Sequence, residues 1–125
     1  MIIHWHKRAA TQLQQVEDYV LQHFGERIRK EFMDEVEQVV TELADMPTMG
    51  KLDPLFAHRK QAYRSIIVRR LNKLVYYVKD NTLHVAAFWD VRREPQEQAD
   101  KVEISDAGVS RKTAKNVDVK DDDDP

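Results

Sequence analysis

The chain has 125 residues, 42% of them apolar and 34% charged, with no cysteine and a formal net charge of −2. That length holds one domain. No run approaches 18 consecutive apolar residues, which excludes a transmembrane helix, and the lack of cysteine excludes disulfides and thiolate metal sites. The start, MIIHWHKRAA, lacks the long apolar core of a signal peptide, so a cytoplasmic protein is expected.

Residues 1–5 form a short apolar run that reads as an edge or central strand. The period then changes. Ala9, Leu13, Val16, Val20 and Phe24 recur at three and four residues, which predicts an amphipathic helix over 7–23 with Gly25 as its stop. Ile28, Phe32, Val36, Val39, Val40 and Leu43 make the stripe of a second helix over 26–44. So short a connection predicts an antiparallel helical hairpin. Two prolines and a glycine mark 45–54 as a loop, and 55–58 as a turn of helix or an apolar plug.

Three β-branched and aromatic runs follow, 63–68, 74–78 and 83–89, with Asp80-Asn81 placed to form a tight hairpin turn. They predict an antiparallel meander ended by Pro95. Alternation puts Arg64, Ile66 and Val68 on one face of it, sends Tyr76 and Tyr77 to opposite faces, and groups His84 with Ala86 and Phe88. The expected order is β-α-α-β-β-β, an α+β fold in which the helical hairpin packs on a small antiparallel sheet and leaves the other sheet face open.

From residue 97 onward the chain is polar, with nine acids and five bases. The domain is expected to span 1–96, followed by an acidic tail over 97–125 that is disordered after about Ser105, although Val102, Ile104, Val109, Val117 and Val119 could add a strand or lie loose. The last eight residues, DVKDDDDP, resemble the FLAG epitope tag with two positions changed, and a natural acidic tail is equally open. Charge is uneven elsewhere too. Residues 54–79 carry seven cations, Arg59, Lys60, Arg64, Arg69, Arg70, Lys73 and Lys79, and no acid. Such bunching favours a polyanion or an acidic partner.

An ordered set of residues over about 1–95 resembles the RelE/ParE superfamily, the toxins of type II toxin–antitoxin systems, also called plasmid stabilisation proteins. The set is Trp5; Ala10, Leu13, Val16 and Tyr19; Leu43, Pro47, Met49 and Gly50; Tyr63-Arg64; the run 73–78; and Trp89-Asp90-Val91-Arg92-Arg93-Glu94-Pro95. The resemblance implies a growth-inhibiting toxin neutralised by a cognate antitoxin in a hetero-oligomer, needing no cofactor. ParE-like members act on DNA gyrase, and that target is the expected one. RelE-like members are metal-independent endoribonucleases that cut messenger RNA on the ribosome, and they are the alternative. A non-toxic binding module of the same fold is the third reading.

A metal-free ribonuclease needs a cationic clamp on the phosphate and groups that move protons. For that chemistry the matching positions are Arg64, Arg70 and Arg92. Arg59, Lys60, Arg69, Lys73, Tyr77 and Arg93 are candidates for binding nucleic acid or a partner. Where such nucleases often carry His or Tyr, this chain has Trp89-Asp90-Val91, a departure that turns the expectation toward gyrase. Asp90 beside two arginines reads as a salt-bridged residue, and His58 as a solvated loop histidine. His4 and His6 flank Trp5, but their spacing is not a recognised zinc pattern, so no metal site is expected.

Overall fold

The computed structural model describes residues 1–92, 99, 102 and 109–111. The elements are β1 (Ile2–Trp5), α1 (Lys7–Phe24), α2 (Glu26–Asp45), β2 (Lys51–Leu52), β3 (Arg64–Val68), β4 (Asn72–Lys79), β5 (Thr82–Asp90) and β6 (Val109–Arg111). Single 3₁₀ turns at Pro47–Met49 and Pro54–Phe56 punctuate the segment between α2 and β3.

The strands form one sheet in the order β2-β3-β4-β5-β1-β6. The β3-β4-β5 meander is antiparallel, as the sequence predicts. The sheet as a whole is mixed, however, because β1 joins β5 in parallel. Parallel neighbours need a long crossover connection, and residues 6–81, with both helices, supply it. Asp80 and Asn81 have φ of 55° and 56°, the left-handed pair of a tight hairpin turn. β6 pairs antiparallel with β1, so a short strand lies within the stretch expected to be disordered after about Ser105. Apart from Ala99 and Val102, the rest of the tail lies outside the described residues.

Two cores result. On one face, Ala9, Ala10 and Leu13 of α1 and Phe32, Val36, Val40 and Leu43 of α2 bury against Ile3, Trp5, Val68, Leu74, Tyr76, Leu83, Val85 and Phe88. Gly25, at φ 90°, ends α1 through its N–H to Leu21 O and starts α2 by accepting the Arg29 N–H. Arg29 then ties the hairpin together, donating to Glu17 of α1 at 2.6 Å and to Glu26 at 2.5 Å.

The other face is not open. Phe56, Tyr63, Val75, Tyr77, Ala86, Ala87 and Trp89 form a second core, to which Ala99 and Val102 also belong. Packing therefore continues past the boundary expected at residue 96. A bulge explains why simple alternation fails on β5. Val75 pairs with Ala87 and Tyr76 with Val85, leaving Ala86 as the extra residue. Phe88 is thereby turned to the helix side, while His84 keeps the company of Ala86, Ala87 and Trp89.

Candidate functional site

The seven-cation stretch does not survive folding as a cationic face. Arg64 lies on the helix-covered side with Ile66 and Val68, and its Nη1 donates to Gly50 O at 2.8 Å. It belongs to a structural node in which Gly50 N–H donates to Tyr76 Oη at 2.9 Å and the Tyr76 hydroxyl donates to Pro47 O at 2.6 Å. Burial pushes the Tyr76 phenol upward, against the Gly50 N–H and the nearby Arg64 charge. Arg59 donates to Ala99 O at 2.9 Å and lies over the Phe56 and Tyr63 rings.

Lys73 pairs with the buried Asp53 at 2.6 Å and lies over Trp89. Burial pushes the Asp53 carboxyl up, but Lys73, the Leu55 N–H and Ser65 outweigh it and hold it below the usual carboxylate range. Tyr77, a candidate for partner binding, is buried in the second core with its ring stacked on His84. It cannot meet a partner from there.

Of the remaining candidates, Arg69, Arg70 and Arg92 are exposed together at one end of the sheet. Arg69 and Arg70 form the β3–β4 turn with φ of 51° and 71°, and Arg69 reaches Glu35 of α2 at 2.9 Å. Beside them β5 finishes. Asn72 pairs with Asp90, and Val91 N–H donates to Leu71 O. Arg92 is exposed and folds back on Asp90, its Nε donating at 2.9 Å and its Nη2 at 2.5 Å. Asp90, and more weakly Tyr19, hold the Arg92 guanidinium above its ordinary value. Asp90 is thus the salt-bridged residue the sequence suggests. Lys60 and His58 are exposed in the loop before β3, away from this turn. Arg93 lies outside the described residues.

The hairpin tip completes this end. Gln12 accepts the Phe88 N–H, and Tyr19 lies in the field of Arg92, so the last turn of α1 runs past the end of β5. Phe24, expected on the buried stripe, is therefore 61% exposed because no described strand lies beneath it, and Tyr19 is 55% exposed. Tyr19, His23 and Phe24 make an aromatic cluster of their own, with Tyr19 stacked on His23 at 4.0 Å. The surface combines rigid, half-wet aromatic rings with arginines, the composition that protein interfaces favour. Sequence reading missed it because helical periodicity does not tell where the underlying sheet stops.

The structure brings Arg70 and Arg92 to this shared end but not Arg64, which is four residues back along β3, about 13 Å away at strand spacing. Away from this end, the second face holds a grouping that the sequence did not lead us to expect. His4, His6 and His84 each offer one ring nitrogen, and these three atoms lie within 4.8 Å of one another. The signal was the His-x-His pair at the end of β1 and the start of α1, but its third member is visible only once β1 is set beside β5.

A family model described as "ParE toxin of type II toxin-antitoxin system, parDE" matches residues 3–95. Among solved structures, a chain of the "Chromosomal ParDE TA system from P. aeruginosa" is similar in fold, with a TM-score of 0.59 and 16% sequence identity. The similarity covers 72% of this chain and 95% of that one. No curated protein matches the chain.

Proposed function

The chain belongs to the ParE toxin family of type II toxin–antitoxin systems, and from that premise we propose that it is a toxin held silent by a cognate antitoxin and directed at DNA gyrase. One observation carries the choice of target. A phosphate undergoing cleavage needs its cations converged on one point. Here Arg64 is committed to Gly50 O on the helix-covered side, while Arg70 and Arg92 stand at the far end of β3. Their separation supports a protein-directed toxin over an endoribonuclease.

The exposed Tyr19 and Phe24 of the hairpin tip, together with Arg70, give such a toxin an anchor surface. The same surface suits an acidic amphipathic antitoxin segment. A second docking element is the outer edge of β3. β2 pairs only with Arg64 and Ser65, so among the described residues no strand lies beside Ile66–Val68, and Ile67 is half exposed. No described helix is long and apolar enough to cross a membrane, and a cytoplasmic site of action follows from the proposed target.

Induction in a bacterial host tests the reading. The expected result is growth arrest with an induced DNA-damage response and intact messenger RNA. Purified protein is expected to trap cleaved DNA on purified gyrase. Arrest with new RNA ends inside reading frames and no gyrase effect replaces the proposal with ribosome-dependent cleavage. No arrest with the antitoxin absent removes the toxin reading for this chain.

A further inference from the structure

The histidines of the second face sit on three adjacent strands. His4 of β1 is directly opposite His84 of β5, and His84 is directly opposite Tyr77 of β4. Side chains opposed in this way have Cβ atoms about 5 Å apart. His6, two residues beyond His4, points to the same face from the first residue before α1. From this juxtaposition we infer that His4, His6 and His84 form a three-nitrogen site for one divalent transition-metal ion, with zinc as its natural probe.

The geometry fits such an ion. His6 Nε2 and His84 Nδ1 are 3.5 Å apart. Two nitrogens bound to a tetrahedral zinc at about 2.0–2.1 Å lie about 3.4 Å from each other. The widest separation in the trio is within 4.8 Å, a gap that small side-chain rotations close. The ring planes also suit a shared ion. They cross at 72° for His4–His6, 66° for His4–His84 and 84° for His6–His84. Their centroids stand 5.0–5.6 Å apart, close enough for one nitrogen of each ring to reach a shared ion.

The surroundings supply what a site needs beyond its ligands. Tyr77 stacks on one face of His84 and fixes that ring, and its hydroxyl, 3.4 Å from His6 Nε2, gives that nitrogen up when an ion binds. His4 and His6 are buried, and His84 is half-buried, which gives the ion a way in and leaves a fourth position for water. A donor set of imidazoles without a carboxylate suits zinc, copper, nickel or cobalt and not magnesium or calcium. Binding here would join β1, β5 and the start of α1, so its expected consequence is stabilisation of the fold.

The test uses the full chain without a polyhistidine tag. Zn²⁺ is titrated by calorimetry, and imidazole ¹⁵N resonances are followed in parallel. The expected result is one ion per chain, a raised Tm, and shifts of three of the five histidines, His4, His6 and His84, while His23 and His58 stay put. Co²⁺ should give the intense visible absorption of a tetrahedral site. His84→Gln should weaken binding at least tenfold, and His58→Gln should leave it unchanged. Shifts confined to His23 or His58, undiminished binding in His84→Gln, or no saturation at a dissociation constant tighter than about 0.1 mM each overturn the inference. Should His84→Gln fail to fold, the imidazole spectrum of the unaltered chain decides alone.

Discussion

Tyr76→Phe removes one oxygen and nothing else, yet it unties the joint between α2 and the sheet. The Tyr76 hydroxyl accepts the Gly50 N–H and donates to Pro47 O. Gly50 is buried and no water can replace the lost acceptor there, whereas Pro47 is half-buried and its carbonyl keeps some access to solvent. A buried unsatisfied donor costs about 1–3 kcal/mol, so the variant should lose about 2 kcal/mol. At a urea slope in the lower half of the usual ~1–3 kcal/mol/M range, the unfolding midpoint falls by about 1–2 M. Gly50→Ala attacks the same joint from the other side. Its Cβ would stand 2.5 Å from Tyr76 Oη, 2.8 Å from Tyr76 Cε1 and 2.9 Å from Ser65 O, and a fully buried ring cannot swing away. Overpacking of this kind costs about 1–3 kcal/mol, in addition to the bond it breaks. In the double variant the nearest clash is gone and the bond is lost only once. Its cost should fall short of the sum of the single costs by about 1 kcal/mol or more. Chemical denaturation of the four proteins measures this directly. An unshifted midpoint for Tyr76→Phe, or strict additivity in the double variant, would refute the account of the joint.

Three further outcomes are expected. Asp53→Asn leaves Lys73 without its buried partner and should cost about 3 kcal/mol at neutral pH. Because the folded state depresses the Asp53 carboxyl, its contribution is present above the ordinary carboxylate range and disappears as pH falls through the lowered value, so denaturation midpoints of the variant should fall less steeply below about pH 4 than those of the parent chain. Arg70→Gly relieves a left-handed backbone at φ 71° and should raise stability by about 0.5–1 kcal/mol while weakening toxicity; if urea midpoints and growth assays move in the same direction, the turn is not where strain and function meet. Phe24→Ser changes a 61% exposed ring and should leave stability within about 0.5 kcal/mol. Its affinity for gyrase or antitoxin by calorimetry should drop at least tenfold, and unchanged affinity for both removes the hairpin tip from the interface.

The helices and the meander were legible because local patterns specify them. Apolar spacing and Gly25 place the helices to within a residue of their observed ends, and Asp80-Asn81 carries the positive φ its residue types suggest. The ordered Leu43, Pro47 and Gly50 also have physical reasons. Leu43 is a core residue, Pro47 opens the 3₁₀ turn and Gly50 admits the Tyr76 hydroxyl. What failed was whatever depends on register between distant segments. The bulge at Ala86 changes which residues share a face. The parallel placement of β1 brings His4 to His84. The second core, built from Phe56, Tyr63, Ala99 and Val102, covers a sheet face that alternation alone leaves bare.

The charge pattern was the most misleading signal, and its resolution bears on the partner. Four of the seven cations are engaged by the fold: Arg59 with Ala99 O, Arg64 with Gly50 O, Arg69 with Glu35 and Lys73 with Asp53. Lys60, Arg70 and Lys79 are exposed, but they stand in three different places, the loop before β3, the β3–β4 turn and the last residue of β4, which is at the opposite end from Arg70. A polyanion site needs several cations along one track, and each phosphate neutralised adds close to one unit to the dependence of log K on log salt. This surface offers Arg70 and Arg92 beside the aromatic tip, and Arg92 is already partnered by Asp90. Binding through it should therefore show a salt slope no steeper than about −2, with affinity carried by Tyr19 and Phe24. A steep slope measured by titration from low to high salt would place the contact on a cationic track that the folded domain does not assemble from residues 54–79.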